Sequence, residues 1–177
     1  RPNPQSLTVH AFCPTHGILH VLLPNPGVQA VHSECEQLSV AQARRFEEAF
    51  QKVRVQAVLD STFDNAIRDQ RMIKSPEEVK KIEASQEITD AAFQHILPYI
   101  KEGVTERDLA LEIEFFMRKQ GAENVAFELI VAAGKNGSQC HAVPSDNQVH
   151  KGDVITMDTG APVDGDHSAM TPTTARA

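Results

Sequence analysis

The stretch that most constrains this chain runs from Ser75 to Gly121, where one helix signal follows another and an extended pattern then takes over. Ser75-Pro-Glu-Glu78 is a strong helix start: the Ser75 hydroxyl can cap the backbone, Pro76 needs no amide bond at the first helical position, and Glu78 can complete a capping box. Val79, Ile82, Ile88, Ala92 and Ile96 form an apolar stripe, while Lys80, Lys81, Glu83 and Glu87 face water as a solvated surface with intrahelical charge pairs. The pattern predicts a helix to about Leu97, where Pro98 intervenes. Gly103 breaks the chain, and Thr105 with Asp108 caps a second helix ending near Gly121, its core face including Leu109, Ile113, Phe116 and Met117.

Beyond Gly121 the two clearest strands are Phe127 to Ala132 and Val154 to Asp158, each ended by a glycine-bearing turn. Two helices followed by strands favour an α+β layer, with the helices on one face of a largely antiparallel sheet. Upstream, Ser39 to Lys52 reads as a helix with Val40, Ala43, Phe46 and Phe50 on one face, and Val55 to Leu59 as a short strand. This pair suits the closing unit of a small α/β domain, with Asp60 to Arg71 as the linker after it. Residues 1 to about 36, rich in proline and histidine, are expected to be irregular apart from one strand over Ile18 to Leu23.

The 177 residues suffice for a real core, and 41% apolar with 23% charged residues lie in the globular range. A formal charge of −7, from 24 acidic against 17 basic side chains, argues against a nucleic-acid partner, whose phosphates call for Lys and Arg. The sequence shows neither a secretory nor a membrane-spanning segment. Cys13, Cys35 and Cys140 leave an odd thiol, so a reducing, cytoplasmic setting is the simpler expectation. A first residue of arginine rather than methionine suggests a processed chain or a piece of a longer one.

The residues that bear on chemistry are His141 and Asp158, since an imidazole and a carboxylate at strand ends are the types that bind a divalent metal and move a proton. Cys140 precedes His141 directly, and adjacent side chains on an extended segment point to opposite faces, so a buried structural thiol is expected rather than a nucleophile. Cys13-x-x-His16 and His32-x-x-Cys35 have the spacing of a structural zinc site, but a His- and Pro-rich segment produces such spacing by chance. His95 and His150 read as surface residues.

Arg71-Met-Ile-Lys-Ser-Pro-Glu-Glu78, Gly103-Val-Thr-Glu106, Phe127-Glu-Leu-Ile-Val-Ala-Ala-Gly134, His141 and Met157-Asp-Thr-Gly160 occur in one order. In that order they resemble the pita-bread metallopeptidases, which comprise Xaa-Pro aminopeptidase, prolidase and creatinase relatives. The resemblance is good over about residues 70 to 174. It implies an incomplete pita-bread fold over residues 71–177, built from the first half of the catalytic domain, preceded in residues 1–70 by a remnant of a creatinase-like α/β N-terminal domain. The implied activity is hydrolysis of peptide bonds next to proline, Xaa-Pro aminopeptidase being the nearest overall, by water activated on two divalent ions, manganese, cobalt or zinc.

Carried onto this chain, the resemblance makes Asp158 a metal ligand and His141 the histidine that contacts the proline-containing peptide. The family's second metal-ligating aspartate follows in a Gly-Tyr-x-Ser-Asp-x-Thr-Arg-Thr segment, which here reads Gly165-Asp-His-Ser-Ala-Met-Thr-Pro-Thr173. Ala169 therefore stands at the aspartate, Asp166 at the tyrosine and Pro172 at the arginine. A methyl group cannot ligate a cation, although His167 nearby is a substitute ligand to consider. The remaining ligands, a histidine and two glutamates, belong to the second half of the domain, beyond Ala177. The expectation is that this polypeptide binds no metal stably and hydrolyses no peptide by itself. Association through an exposed sheet, as a homo-oligomer or with another chain, partial disorder after about residue 160, or poor solubility is expected with it. The alternative is a non-catalytic, peptide-binding or interaction module, as in relatives of this fold that have lost the metal site.

Overall fold

A computed structural model describes residues 29–52 and 54–175, and the chain divides into two compact units at Ile73/Lys74. In the first unit, strand β1 (Ala30–His32) and strand β2 (Gln56–Val58) pair in parallel, with Val31 opposite Ala57, and helix α1 (Val40–Lys52) connects them. Parallel neighbours need such a crossover. β1 lies in the stretch expected to be irregular; the expected strand Ile18 to Leu23 lies outside the described residues.

The segment from Asp60 to Arg71 is not a linker but helix α2 (Ser61–Met72). Asp60 caps it, accepting from the Thr62 amide at 2.9 Å. Inside its first turn the buried Asp64 accepts the Cys35 and Glu36 amides at 3.1 and 3.3 Å, tying the helix to the loop after β1. Its one buried residue is thus the polar Asp64, with Phe63 and Ile67 only partly buried, which is why periodicity passed over it.

The second unit opens with helix α3 (Pro76–Ile96), and its predicted capping box is formed in full: Ser75 accepts the Glu78 amide at 3.2 Å, and the Ser75 amide donates to the Glu78 carboxylate at 2.7 Å. Its buried stripe is Ser85, Thr89, Ala92 and Ile96, at i, i+4, i+7 and i+11; Val79, expected in the core, is exposed. Helix α4 (Glu106–Lys119), capped by Thr105, buries Leu109, Ile113 and Met117, with Phe116 partly buried beside them. His95 is not a simple surface residue: it stacks on Phe116, ring centroids 4.1 Å apart, and its Nε2 lies 2.6 Å from Glu112 Oε1.

Strands β3 (Ile130–Ala133), β4 (Val154–Asp158) and β7 (Thr173–Ala175) form an antiparallel sheet in the order β3-β4-β7. Val131 pairs with Met157 and Ala133 with Ile155, and these four residues join the helical side chains in one core. Alternation then puts Asp158, with Ile130, Ala132 and Thr156, on the face away from the helices. Strands β5 (Pro162–Val163) and β6 (Asp166–His167) make a hairpin whose turn residues Asp164 and Gly165 have φ of 49° and 85°, the signature of a type I′ turn. Lys81 pins this hairpin to α3 through Asp164 at 2.6 Å, and it also feels the charge of Glu78 on its own helix. Helices on one side of an antiparallel sheet give the α+β arrangement read from the sequence.

Candidate functional site

The Asp158-Thr-Gly160 turn is held from both sides. Thr159 and Met170 exchange backbone hydrogen bonds at 3.0 and 2.8 Å, so the segment after β4 runs antiparallel to the one leading into β7. Gly160 is demanded by packing and not by its φ: a Cβ there would collide with the Ser168 carbonyl oxygen and sit 2.9 Å from the Phe127 ring. On the helix side, the buried Ser85 hydroxyl donates to the Ala161 carbonyl and accepts the Ser168 amide at 2.9 Å. The hydroxyls of Ser85 and Thr89 both lie 2.8 Å from that of Ser168, completing a buried polar cluster that clamps the turn to α3.

That register decides what surrounds Asp158. With Thr159 opposite Met170, positions 158 and 160 share a face with 169 and 171, and Ser168, aimed at α3, leaves Ala169 and His167 on the Asp158 side. Asp158 is half-buried, and its Oδ1 accepts the Thr171 hydroxyl at 2.9 Å. Ala169 is exposed and presents a methyl group where a carboxylate would face the same space. His167 pairs with Pro162, four residues along from Asp158, a span of about 13 Å in an extended strand. Among the described residues no group of three or more His, Cys, Asp or Glu side chains is placed to hold a metal ion. The donor set present therefore does not fit a two-metal centre.

His141 lies elsewhere, exposed, in the long connection from β3 to β4. That connection springs from the Ala133 end of the β3–β4 ladder, whereas Asp158 sits at the Ile130 end. Cys140 beside it is exposed, not the buried structural thiol expected from its place next to His141. Of the four residues with zinc-site spacing, Cys13 and His16 lie outside the described residues, and Cys35 donates its Sγ–H to the Ser33 carbonyl at 3.4 Å.

The residue that sequence reasoning passed over is Glu106, 1% exposed at the start of α4. Its carboxylate accepts the Ala133 amide at 2.8 Å, the Asn147 side chain at 2.9 Å, the Asn136 side chain at 3.0 Å, and both the hydroxyl and amide of Ser145 at 2.7 and 3.2 Å. Burial pushes this carboxyl up, but the combined donors of Ala133, Ser145, Asn147 and Asn136 outweigh it and hold the group below the usual carboxylate range. The only signal in sequence was its place in Gly103-Val-Thr-Glu106, where a capping role near a helix start is the ordinary reading.

Comparison with solved structures places this architecture. The chain superposes on an Xaa-Pro dipeptidase from Bacillus anthracis with a TM-score of 0.77 at 35% identity, covering 83% of this chain and 40% of that one. An X-Pro aminopeptidase from Thermotoga maritima MSB8 gives 0.75 at 33% identity, with the same coverages of 83% and 40%. The fold is thus the pita-bread α+β fold, of which this chain supplies part. The model of metallopeptidase family M24 matches residues 80–176, and the chain belongs to that family. Among curated relatives it is 46% identical over 105 residues to the uncharacterized peptidase YqhT of Bacillus subtilis (strain 168), and 42% identical over 98 residues to an Xaa-Pro dipeptidase of Pyrococcus horikoshii. The matches span 30% and 28% of the length of those relatives.

Proposed function

We propose that this chain is the substrate-facing part of an Xaa-Pro metallopeptidase of the aminopeptidase or prolidase type. On this reading its His141 meets a proline-containing peptide, and the polypeptide by itself does not cleave it. In the intact family, paired divalent ions such as manganese, cobalt or zinc supply an activated water to the peptide carbonyl. The observation that carries the reading is Ala169 on the Asp158 face: one carboxylate, already engaged by Thr171, stands where a bridging pair is needed. Relatives described as Xaa-Pro dipeptidases support the substrate class.

The β1-α1-β2 unit supports assigning residues 1–70 to a creatinase-like N-terminal domain and residues 71–177 to the peptidase domain. β3 and β7, the outer strands of their sheet, are the edges through which association with a second chain would occur. Among the described residues no helix is long and apolar enough to cross a membrane, and a reducing, cytoplasmic setting suits the free Cys35 and Cys140.

The test is calorimetric titration of manganese and zinc into the purified chain and into Asp158→Ala, alongside an Xaa-Pro hydrolysis assay. Weak or absent metal binding and no turnover are expected. Tight binding lost in the variant, or cleavage by the pure chain, overturns the reading. Ala169, Asp166 and Pro172 also favour a second reading, a non-catalytic peptide-binding module, which gains if peptide binds while metal does not.

A further inference from the structure

Glu106 stands on α4, yet every group its carboxylate binds belongs to one other segment, residues 133–147. Its two oxygens grip that segment near both ends: Ala133 and Asn136 where it leaves β3, Ser145 and Asn147 where it comes back past the helix. The backbone reinforces the return, since the Glu106 amide donates to the Asn147 carbonyl at 3.0 Å and the Arg107 amide to the Ser145 carbonyl at 3.1 Å. Between the two gripped ends lies the stretch carrying the exposed Cys140 and His141, with Ala142 buried beside them.

A loop closed at both ends on one buried anion loses most of its freedom, because the ends cannot separate without stripping donors from that anion. We infer that Glu106 is the positioning residue for His141, fixing the base of the 133–147 segment so that the imidazole is presented in one place. The inference deepens the proposed function and rests on its reading of His141 as the peptide-contacting residue. Glu106 itself, fully enclosed, touches no substrate. A glutamine at this position keeps the shape but brings an NH₂ group against groups that donate, so at least one backbone or side-chain amide in the base loses its acceptor.

The experiment compares the whole chain with Glu106→Gln, Ser145→Ala, His141→Ala and the Glu106→Gln/His141→Ala double variant. Amide exchange and the His141 imidazole NMR signals report on the loop, and titration with the dipeptide Ala-Pro reports on binding. In Glu106→Gln, exchange at Ala133, Ser145 and Asn147 is expected to quicken at least about tenfold while Ile113 and Met157 keep their protection. The His141 signals should shift, and Ser145→Ala should do the same to a smaller degree without endangering the fold. Ala-Pro binding should weaken about as much in Glu106→Gln as in His141→Ala, with little further loss in the double variant. Uniform loosening of the whole unit, unaltered His141 signals, or additive losses would overturn the inference. If the unmodified chain does not bind Ala-Pro, the peptide reading of His141 falls, and exchange with the His141 signals still decides whether Glu106 holds the loop.

Discussion

The Thr171 hydroxyl donates to Asp158 Oδ1 across two antiparallel segments whose register puts Ala169 on the same face, one alternate position along from Thr171. A hydroxyl partner satisfies a half-buried carboxylate at low cost, so Asp158 needs no cation to be stable where it is. The consequence is that Asp158, the ligand proposed for a metal, stands as an ordinary hydrogen-bonded aspartate.

Adding a second carboxylate tests this directly. Ala169 is exposed, so Ala169→Asp meets no steric barrier and places a second anion diagonally from the first. Manganese affinity measured by calorimetry is expected to rise at least about tenfold, since two carboxylates on one face favour a hard cation. An unchanged affinity would mean that the two positions do not converge on one ion.

Gly160 offers a stability test with an internal control. Gly160→Ala drives a Cβ into the Ser168 carbonyl, which the Ser85 cluster holds in place, and should cost about 3 kcal/mol in urea unfolding. Gly103→Ala meets nothing within 4 Å and suffers only from its φ of 87°, a cost of about 1 kcal/mol. Equal losses at the two glycines would show that the clamp on the turn yields.

What could be read in the chain beforehand follows a physical rule. The capping box of Ser75 and Glu78 and the Leu109, Ile113, Met117 stripe were legible because each is local, decided within one or two helical turns. The helix over Ser61–Met72 was not, because its first turn is stabilised by Asp64 receiving amides from residues 28 and 29 positions away. Val79 failed as a core residue for a related reason: the stripe shifted to Ser85 and Thr89, polar side chains buried against Ser168, a partner about 80 residues further on. Among the candidate residues, His141, Asp158 and Ala169 were visible by type, but Glu106 reveals itself only when Ala133, Ser145 and Asn147 are folded around it.

Glu106 also sets an acid limit on stability. Its folded pKa lies below the ordinary value of about 4.3, so its stabilisation is complete above that pH and is lost as pH falls through the folded value. Urea midpoints measured from pH 7 downward should fall in this acid range, and Glu106→Gln should lose less over the same range. Glu106→Ala, which strands several buried donors, should cost about 3 kcal/mol at neutral pH. An identical acid dependence in Glu106→Gln would assign the transition to other carboxylates.

The two described thiols should differ in reactivity in the direction opposite to the expectation that Cys140 is buried. Cys140 is exposed and open to reagent. Cys35 is half-buried, its Sγ–H directed at the Ser33 carbonyl, and burial, then the nearby Asp64 and Asp60 charges, raise its pKa and keep it in the unreactive thiol form. Iodoacetamide at pH 8, followed by peptide mapping, should modify Cys140 at least about tenfold faster than Cys35, since the thiolate is the nucleophile. Asp64→Asn removes one of the two charges and leaves an amide that can still accept from the Cys35 backbone, so it should narrow the gap by speeding Cys35 alone. Faster modification of Cys35 in the unmodified chain would place the Asp64 carboxylate too far from the sulfur to govern it.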